Sequence, residues 1–213
     1  MKINRGWIKA LTTLTLAATV AWPGLAQDGG LYEDVPDPNA SFVRVVAVNL
    51  TNAVVQNTAF NDMSSGVSGY VVVNQPGEIS ITAGVDESKV TVEAGKFYSF
   101  VVGADGTKTL VPENISSSPA QAVVTVFNLS DKPMIDLFVP AASAVAVPGV
   151  AVNSSASVAL KAPLTLDFEV REGETVLASL PAVDLARRAG VAIVFRGSGG
   201  TYDVVMQPST IAK

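Results

Sequence analysis

The sequence predicts an all-β protein made of two tandem small β-sandwich domains, Ig-like or jelly-roll-like, that follow a cleaved signal peptide. Three observations predict this class. Short β-branched segments alternate with turn residues at intervals of about ten positions, as in sandwiches and barrels. Helical periodicity is almost absent, and only Ala182–Arg188 could form a turn or two of helix. A strand followed by an Asn-Leu-Thr/Ser turn occurs at Asn49 and returns 79 positions later at Asn128.

The first 26 residues have the pattern of a secretory signal peptide. Three cations precede an uncharged run from Ala10 to Ala21, and Gly24 and Ala26 are the small residues expected before a cut. An uncleaved membrane anchor is the alternative, but about 12 apolar residues are too few for a bilayer core that needs about 20. We therefore expect an exported chain that starts at Gln27 and has no membrane span.

Charge and composition exclude several classes of function. Removal of residues 1–26 takes away Lys2, Arg5 and Lys9 and no acid, so the net charge changes from −5 to −8. An acidic chain has no general attraction for nucleic acid or anionic membranes. The sequence contains no His and no Cys, which excludes a Ser-His-Asp triad, a Cys-His dyad and the usual zinc and copper ligand sets. We expect no catalytic residue, no cofactor and no metal.

The mature chain begins with a predicted extended arm, residues 27–40, rich in Gly, Pro and acids. Its only bulky apolar pair is Leu31 and Tyr32, which we expect to fix the arm onto a surface. A first sandwich is predicted over residues 41–111, with an Asp105-Gly106 hairpin, and a linker over residues 112–120. The clearest predicted strands of the first sandwich are Phe42–Val48, Tyr70–Val73, Ile79–Ala83, Lys89–Val92, Phe97–Val102 and Thr107–Val111.

The second sandwich is predicted over residues 121–213. The segment Met134–Val152 is apolar and 19 residues long, but Asp136 and two prolines favour two buried strands and a turn over a membrane helix. In each copy a strand with alternating bulky residues follows an Ala-Gly pair, at Gly95 and at Gly190, and then enters a glycine-rich turn. The interval from Asn to Gly is 46 residues in the first copy and 62 in the second, which suggests an insertion of about 16 residues.

The predicted first strand of each copy is apolar on both faces, whereas a sandwich strand usually has one wet face. Arg44 is the exception within Val43–Val48. Two explanations remain open: the two domains pack on each other, or the outward faces bind a partner protein.

The residues that could contact a partner or a polysaccharide are few. Arg187 and Arg188, with Arg196 across the predicted turn, form the one concentration of positive charge, which could meet a carboxylated polysaccharide or an acidic protein. A solvated loop is the alternative. The scattered acids, such as Glu33-Asp34 and Asp86-Glu87, lie in turn-like segments where exposed carboxylates are ordinary. The candidate contact residues are Tyr32, Arg44, Arg187, Arg188 and Arg196.

The stretch LYEDVPDPNASFVRVVAVN, from Leu31 to Asn49, followed by two β-rich copies, resembles the AlgF family of bacterial alginate O-acetylation. The resemblance implies a periplasmic protein needed to place acetyl groups on O-2 and O-3 of mannuronate residues in alginate. It also implies partners, namely a membrane-bound acyl-transfer protein and exported hydrolase-like acetyltransferases. Both kinds of catalyst rely on a His, which this sequence lacks, so the resemblance implies a non-catalytic adaptor.

Whether such an adaptor docks proteins or also holds alginate stays open at this stage. A charge of −8 would repel a polyanion unless Arg187, Arg188 and Arg196 form a local groove. Two alternatives belong to other classes. One is a fimbrial or adhesin-like structural subunit with an incomplete sandwich, and the other is an exported enzyme that uses only carboxylates.

Overall fold

The computed structural model describes residues 37–115 and 118–212, so the predicted signal peptide and most of the arm, with Tyr32, lie outside the described residues. The described chain forms two β domains, each built from two four-stranded sheets, and the predicted all-β fold with two tandem domains is confirmed. Within these residues no helix is long and apolar enough to cross a membrane. The strands are β1 Ser41–Ala47, β2 Ala53–Val55, β3 Thr58–Phe60, β4 Val71–Val73, β5 Gly77–Ala83, β6 Asp86–Val92, β7 Phe97–Val102, β8 Lys108–Glu113, β9 Gln121–Ser130, β10 Met134–Val139, β11 Ala144–Ala151, β12 Ser154–Lys161, β13 Leu164–Glu172, β14 Thr175–Leu185, β15 Gly190–Ser198 and β16 Thr201–Ser209.

The two domains have the same topology. In the first, the sheets have the orders β4-β1-β7-β8 and β3-β2-β5-β6; in the second, the orders are β12-β9-β15-β16 and β11-β10-β13-β14. If the strands are numbered from 1 to 8 within each domain, both domains have one sheet of order 4-1-7-8 and one of order 3-2-5-6. The first and seventh strands are parallel in each copy, and the other pairs are antiparallel. The structure therefore supports the predicted duplication down to strand order.

Alternating side chains build the core of each sandwich. In β5, Ile79 and Ile81 are buried and the intervening Ser80 is half-buried, which is the period of two expected when one sheet face is covered. They pack with Val43 and Val45 from β1 on the opposite sheet. Longer strands give the second domain a larger core of the same kind, centred on residues such as Phe168.

The sheets that contain β1 and β9 pack against each other, and this explains why both strands are apolar on both faces. All seven residues of β1 are buried. Val43 and Val45 point into their own sandwich, whereas Val46 joins Phe127 of β9 and Val194 of β15 in a cluster between the domains. Of the two explanations left open by the sequence, the structure favours packing of one domain on the other.

The pairing register corrects the alignment of the two copies. The parallel partners Phe42 and Phe97 are 55 positions apart, and the partners Val123 and Gly190 are 67 apart, so the copies differ by 12 residues here instead of 16. Gly95 and Arg188 both have positive φ. Gly95 donates its N–H to the carbonyl of Ala40, just before β1, and Arg188 donates to that of Gln121, the first residue of β9. They are therefore equivalent, and Asn128 corresponds to Ala47, not to Asn49.

The environments of the two asparagines agree with this correction. Asn49 is exposed beyond the end of β1 with φ of 57°, whereas Asn128 is fully buried within β9. The two Asn-Leu-Thr/Ser motifs thus lie two residues apart in the repeat. The expectation that they form one turn used twice was wrong. Two similar short sequences can occupy different positions in equivalent strands, and only the strand pairing shows which positions correspond.

Other expectations have mixed outcomes. Met134–Val152 does form two strands, β10 and β11, joined by a short 3₁₀ turn at Pro140–Ala142. The extra length of the second copy is not one insertion, because the strands from β10 to β14 have 6 to 11 residues and those from β2 to β6 have 3 to 7. The possible helix at Ala182–Arg188 is instead the end of β14 and a turn, and Ala182 has a left-handed φ of 53°. The short strands β2 and β3 were not predicted.

The chain crosses between the domains twice. The predicted first-domain boundary and linker stay predictions, although β8 continues through Pro112 and Glu113 before β9 begins at Gln121. At the other end, the residues after β16 return to the first domain. Tyr70 donates its N–H to the carbonyl of Thr210 and accepts from the N–H of Ala212, both at 2.7 Å, so Ile211 extends the edge beside β4.

Candidate functional site

A buried polar network lies at the centre of the interface between the domains. Arg44 donates from Nη2 to Oε2 of Glu113 at 2.6 Å and from Nε to Oε1 at 3.0 Å, and both side chains are fully buried. Its Nη1 donates to Oγ of Ser209 at 3.1 Å. The hydroxyls of Tyr70 and Thr125 donate to Oε2 of Glu113 at 2.9 and 3.3 Å. The guanidinium also lies over the rings of Tyr70 and Phe127, so the buried charge has partners from both domains.

The corrected register shows that this network joins equivalent positions of the two copies. The first copy supplies Arg44, Tyr70, Ser99 and Glu113; the positions that correspond to them in the second are Thr125, Ser157, Ala192 and Ser209. The bulky and charged side chains all come from the first copy, and small ones come from the second. Each domain therefore presents the same part of the same sheet to the other.

A cleft of about 480 Å³ opens between the domains at one end of this interface, and we refer to it as the interdomain cleft. It is formed where β1 and β9 end and where the β7–β8 and β15–β16 turns meet. These are the turns that the sequence marks with GADGT and RGSGGT. The lining residues are Val48, Asn49, Ala104, Asp105, Leu129, Ser130, Asp131, Val152, Asn153, Arg196, Gly197, Ser198, Thr201, Tyr202 and Asp203.

The charged groups of the cleft are bonded to one another and to the backbone. Arg196 donates from Nη2 and Nε to Oδ2 of Asp203 at 3.0 and 3.2 Å. Asp131 accepts from the hydroxyl of Tyr202 and from the N–H of Gly199, both at 2.8 Å. Asn153 reaches across the domains to Oδ1 of Asp105 at 3.3 Å. Three carboxylates and one guanidinium line the cleft, so it is acidic.

These contacts also change proton affinities. The N–H of Gly199, followed by the Tyr202 hydroxyl, lowers the pKa of Asp131 because both stabilise the carboxylate. The same hydrogen bond raises the pKa of Tyr202, because the phenol must lose the proton that it donates to Asp131. The side chain and N–H of Thr107 lower the pKa of Asp105. Asp105 and Asp131 are therefore ionised at neutral pH.

Gly103, at the start of the β7–β8 turn, lies directly against the other domain. A Cβ on Gly103 would lie 2.2 Å from Oδ1 of Asn153, a residue of the β11–β12 turn, and 2.6 Å from Oδ1 of Asp105. A larger residue at this position would displace these two side chains and disturb the hydrogen bond between them.

The structure places the predicted contact residues apart from one another. Arg44 is buried, so the expectation that it contacts a partner is wrong, because the second domain covers the face from which it projects. Arg187 and Arg188 are exposed just before β15, and Nε of Arg187 donates to the carbonyl of Ala162 at 3.0 Å. Arg196 lies near the far end of the same strand. At about 3.3 Å per residue, it is roughly 20 Å from Gly190.

The three arginines consequently do not form one basic groove. Arg196 lines the acidic cleft beside Asp203, and the Arg187-Arg188 pair lies at the opposite end of the sheet. The proximity expected from a turn between them was wrong, because the intervening residues form an extended strand.

The sequence did not single out the cleft residues Asp131, Asn153 and Tyr202. The sequence pointed to this region only indirectly, because the glycine-rich turns and the Asn-Leu-Ser motif that border the cleft were recognised as repeat features. Which of those turns would meet across two domains cannot be read from spacing alone. No group of three His, Cys, Asp or Glu side chains in the described ranges is arranged to hold a metal ion.

Chemically, the interdomain cleft is rich in acceptors and negatively charged. It can accept hydrogen bonds from neutral or cationic groups, and it repels carboxylates. The hydroxyls that line it have no imidazole to activate them, since the chain contains no His.

Comparison with known proteins gives one consistent family. The family described as "Alginate O-acetyl transferase AlgF" matches residues 12–199. The "Alginate biosynthesis protein AlgF" of Azotobacter vinelandii is 27% identical over 184 residues, which cover 84% of this chain and 83% of that protein. A solved structure of the C-terminal domain of AlgF from P. aeruginosa is 25% identical, and the match covers 42% of this chain and 98% of that one with a TM-score of 0.36.

Proposed function

This chain belongs to the AlgF family of alginate O-acetylation proteins, and we propose that it acts as a non-catalytic periplasmic adaptor of the acetylation complex. In this role it docks the membrane acyl-transfer protein and the periplasmic acetyltransferases. Transfer of acetyl groups to O-2 and O-3 of mannuronate residues then depends on this protein without being catalysed by it.

The separation of the three arginines is the observation that carries this proposal. An acidic chain could hold alginate, a polyanion, only through a local basic groove. Arg187 and Arg188 are far from Arg196, which is paired with Asp203. The interdomain cleft is thus acidic, and the exposed Arg187-Arg188 pair stands apart from it. Two separate sites of opposite charge suit protein surfaces better than a chain of carboxylated sugars, which needs a continuous basic groove.

A non-catalytic role follows from the residue types. Acetyl transfer by a hydrolase-like enzyme needs a nucleophile, a general base and a group that orients the base. The chain has no imidazole and no thiol. The carboxylates of the interdomain cleft are already bonded to Arg196, Tyr202 or Thr107. The hydrogen bonds to Asp105 and Asp131 lower the pKa of both acids, so neither is suited to take a proton from the hydroxyl that is bonded to it.

The fimbrial alternative expects a sandwich that lacks a strand. Both described sandwiches instead contain eight strands of this same chain in one topology. The first domain also has Ile211 beside β4. Nothing in this arrangement calls for a donor strand from a neighbour, so the structure does not favour that function.

Two measurements on the purified mature protein test the proposal. Titration with polymannuronate at low and at moderate salt is expected to show no micromolar binding, because the basic groups are dispersed. Incubation with an acetyl donor and polymannuronate is expected to give no transfer unless the acetyltransferases are added. Salt-sensitive binding of the polysaccharide would contradict pure protein docking, and acetyl transfer by the protein alone would contradict the adaptor.

A further inference from the structure

The outermost sheets of the two domains, which do not take part in the domain interface, have different outer faces. The sheet β11-β10-β13-β14 of the second domain corresponds to the sheet β3-β2-β5-β6 of the first. Because the two have the same topology, they serve as an internal comparison. We refer to them as the second-domain outer face and the first-domain outer face.

The second-domain outer face carries four large apolar side chains. Pairing places Phe138 beside Val145 and Met134 beside Ala151, and places Arg171 beside Val176, all opposite to the side that packs in the core. Met134, Val145 and Val176 are 56%, 48% and 45% exposed. The guanidinium of Arg171 lies 3.4 Å from the ring centre of Phe138.

The first-domain outer face is a solvated one. Its outward positions are mostly charged or hydroxyl side chains, and Glu78 forms an ion pair with Lys89 at 3.1 Å. Among the outward positions of its strands, Val54 is the single large aliphatic side chain and is only partly exposed, whereas the exposed Val85 lies beyond the strands in the β5–β6 turn. The apolar character of the second-domain outer face is therefore not a requirement of the fold.

Carboxylates surround the apolar side chains of the second-domain outer face. Asp136 accepts from the N–H of Gly149 at 2.7 Å, and Asp167 accepts from the N–H of Ala182 at 2.8 Å, so backbone irregularities hold both in place. Glu169 is bonded to Arg171, and Asp184 accepts from Thr165. Against these four acids the face has one arginine, which gives it a negative charge.

From this combination we infer that the second-domain outer face is the surface that docks a protein of the acetylation machinery, one with an apolar centre flanked by Lys or Arg. This inference rests on the proposed adaptor function and deepens it. Aromatic residues, Met and Arg are the types enriched in protein interfaces, and an exposed apolar patch on a folded domain marks such a site. A second copy of this chain fits poorly, because a two-fold contact would bring the same acids together.

Lysine substitutions on equivalent edge strands test the inference. The test pair is Val145→Lys with Val176→Lys, on β11 and β14. The matched pair is Ala59→Lys with Thr91→Lys, exposed outward positions on β3 and β6, the corresponding strands of the first domain. Both pairs add two positive charges, and circular dichroism and thermal unfolding check that each variant is folded.

The probes are the detergent-solubilised membrane acyl-transfer protein and each purified acetyltransferase of the same alginate system. We expect the test pair to weaken the affinity for at least one probe by about tenfold or more, which is typical for loss of an interface centre. The matched pair should change that affinity by less than about threefold.

The remaining outcomes are distinguishable. If the wild type binds and the two pairs behave alike, the docking surface is wrong and the adaptor function stands. If the wild type binds none of the probes, the adaptor function itself fails. If sedimentation shows a wild-type dimer that the test pair dissociates, the face belongs to a second copy, and the inference is overturned.

Discussion

The two copies of the repeat share a topology but differ in what each contributes to their common interface. At four equivalent positions the first copy has Arg44, Tyr70, Ser99 and Glu113, and the second has Thr125, Ser157, Ala192 and Ser209. Two identical sets would bring two guanidiniums and two carboxylates into one buried centre. With one set charged and the other small, a single ion pair fills the space and its remaining groups find hydroxyl partners.

The outer faces of the two copies differ as well. The first copy has ionic and hydroxyl side chains there, whereas the second has large apolar side chains surrounded by acids, on longer strands. In each copy, one sheet is committed to the sandwich core and to the neighbouring domain. The side chains on the outermost sheet can therefore change without disrupting the domain interface, because this sheet touches neither the other domain nor the buried ion pair.

The largest effect should come from breaking the charged half of the interface. Arg44→Met leaves Glu113 buried without its counter-charge, so we expect the free energy of unfolding to fall by about 3–5 kcal/mol. Thr125→Val, at the equivalent position of the second copy, removes one hydroxyl that donates to Glu113 and should cost about 1 kcal/mol. Urea unfolding of both variants measures the difference.

The double variant Arg44→Met with Glu113→Leu provides the control for this experiment. It removes both charges, so it should lose less stability than Arg44→Met alone. Equal losses for Arg44→Met and Thr125→Val would show that the two copies contribute alike, contrary to the asymmetry described above.

A smaller effect separates the two similar Asn motifs. Asn128 donates to the carbonyls of Lys132 and Val150 at 2.9 and 3.1 Å and accepts from Ser130, all in a buried site. Asn128→Ala should therefore cost about 1–3 kcal/mol. Asn49→Gly should change the stability by less than about 0.5 kcal/mol, because Asn49 is exposed and its positive φ suits glycine.

The midpoints and slopes of urea unfolding curves would measure both substitutions. If Asn49→Gly were the more damaging of the two, the equivalence of Asn128 with Ala47 would be wrong, and the motifs would form one turn after all.

The smallest effect concerns pH. The register places Leu50 of the first copy where the second has Asp131, whose pKa is lowered by the N–H of Gly199 and the hydroxyl of Tyr202. A lowered folded-state pKa gives stability that is present above the ordinary value of about 3.9 and is lost as the pH falls through the folded pKa.

Asp131→Asn should consequently flatten the fall of the melting temperature as the pH drops below about 4, and it should leave the pH dependence near neutrality almost unchanged. Leu50→Asn, at the corresponding position of the first copy, is the matched control and should leave the acid slope as it is in the wild type. Parallel acid profiles for Asp131→Asn and the wild type would contradict the role of Asp131.

Much of the fold could be predicted from the sequence because local patterns encode it. The alternation around Ile79 and Ile81 and the Asp105-Gly106 turn gave strands close to those observed. The duplication was recognised as well, but its register was not. Matching letters around Asn49 and Asn128 misplaced the alignment by two residues, since a shift of two keeps the same side chains on the same sheet face.

The candidate site was harder to predict. Arg196 does line the interdomain cleft, but its supposed neighbours Arg187 and Arg188 lie at the other end of β15. Asp131 and Tyr202 are bonded to each other within the second domain, and they line a cleft only because the turns of the first domain lie opposite them. Closeness along the chain indicates closeness in space only within a turn, and an extended strand separates its ends by about 3.3 Å for every residue.

The sequence by itself determined the β class, the repeat and the lack of any imidazole or thiol for catalysis, because these depend on residue type and local period. The tertiary structure decided which faces remain accessible. A charged residue such as Arg44 within β1 would be expected at the surface, but the second domain covers the face of the sheet from which it projects. The burial of a side chain depends on what packs on it, and here the covering residues Thr125, Phe127 and Ser209 come from 81 to 165 positions further along the chain.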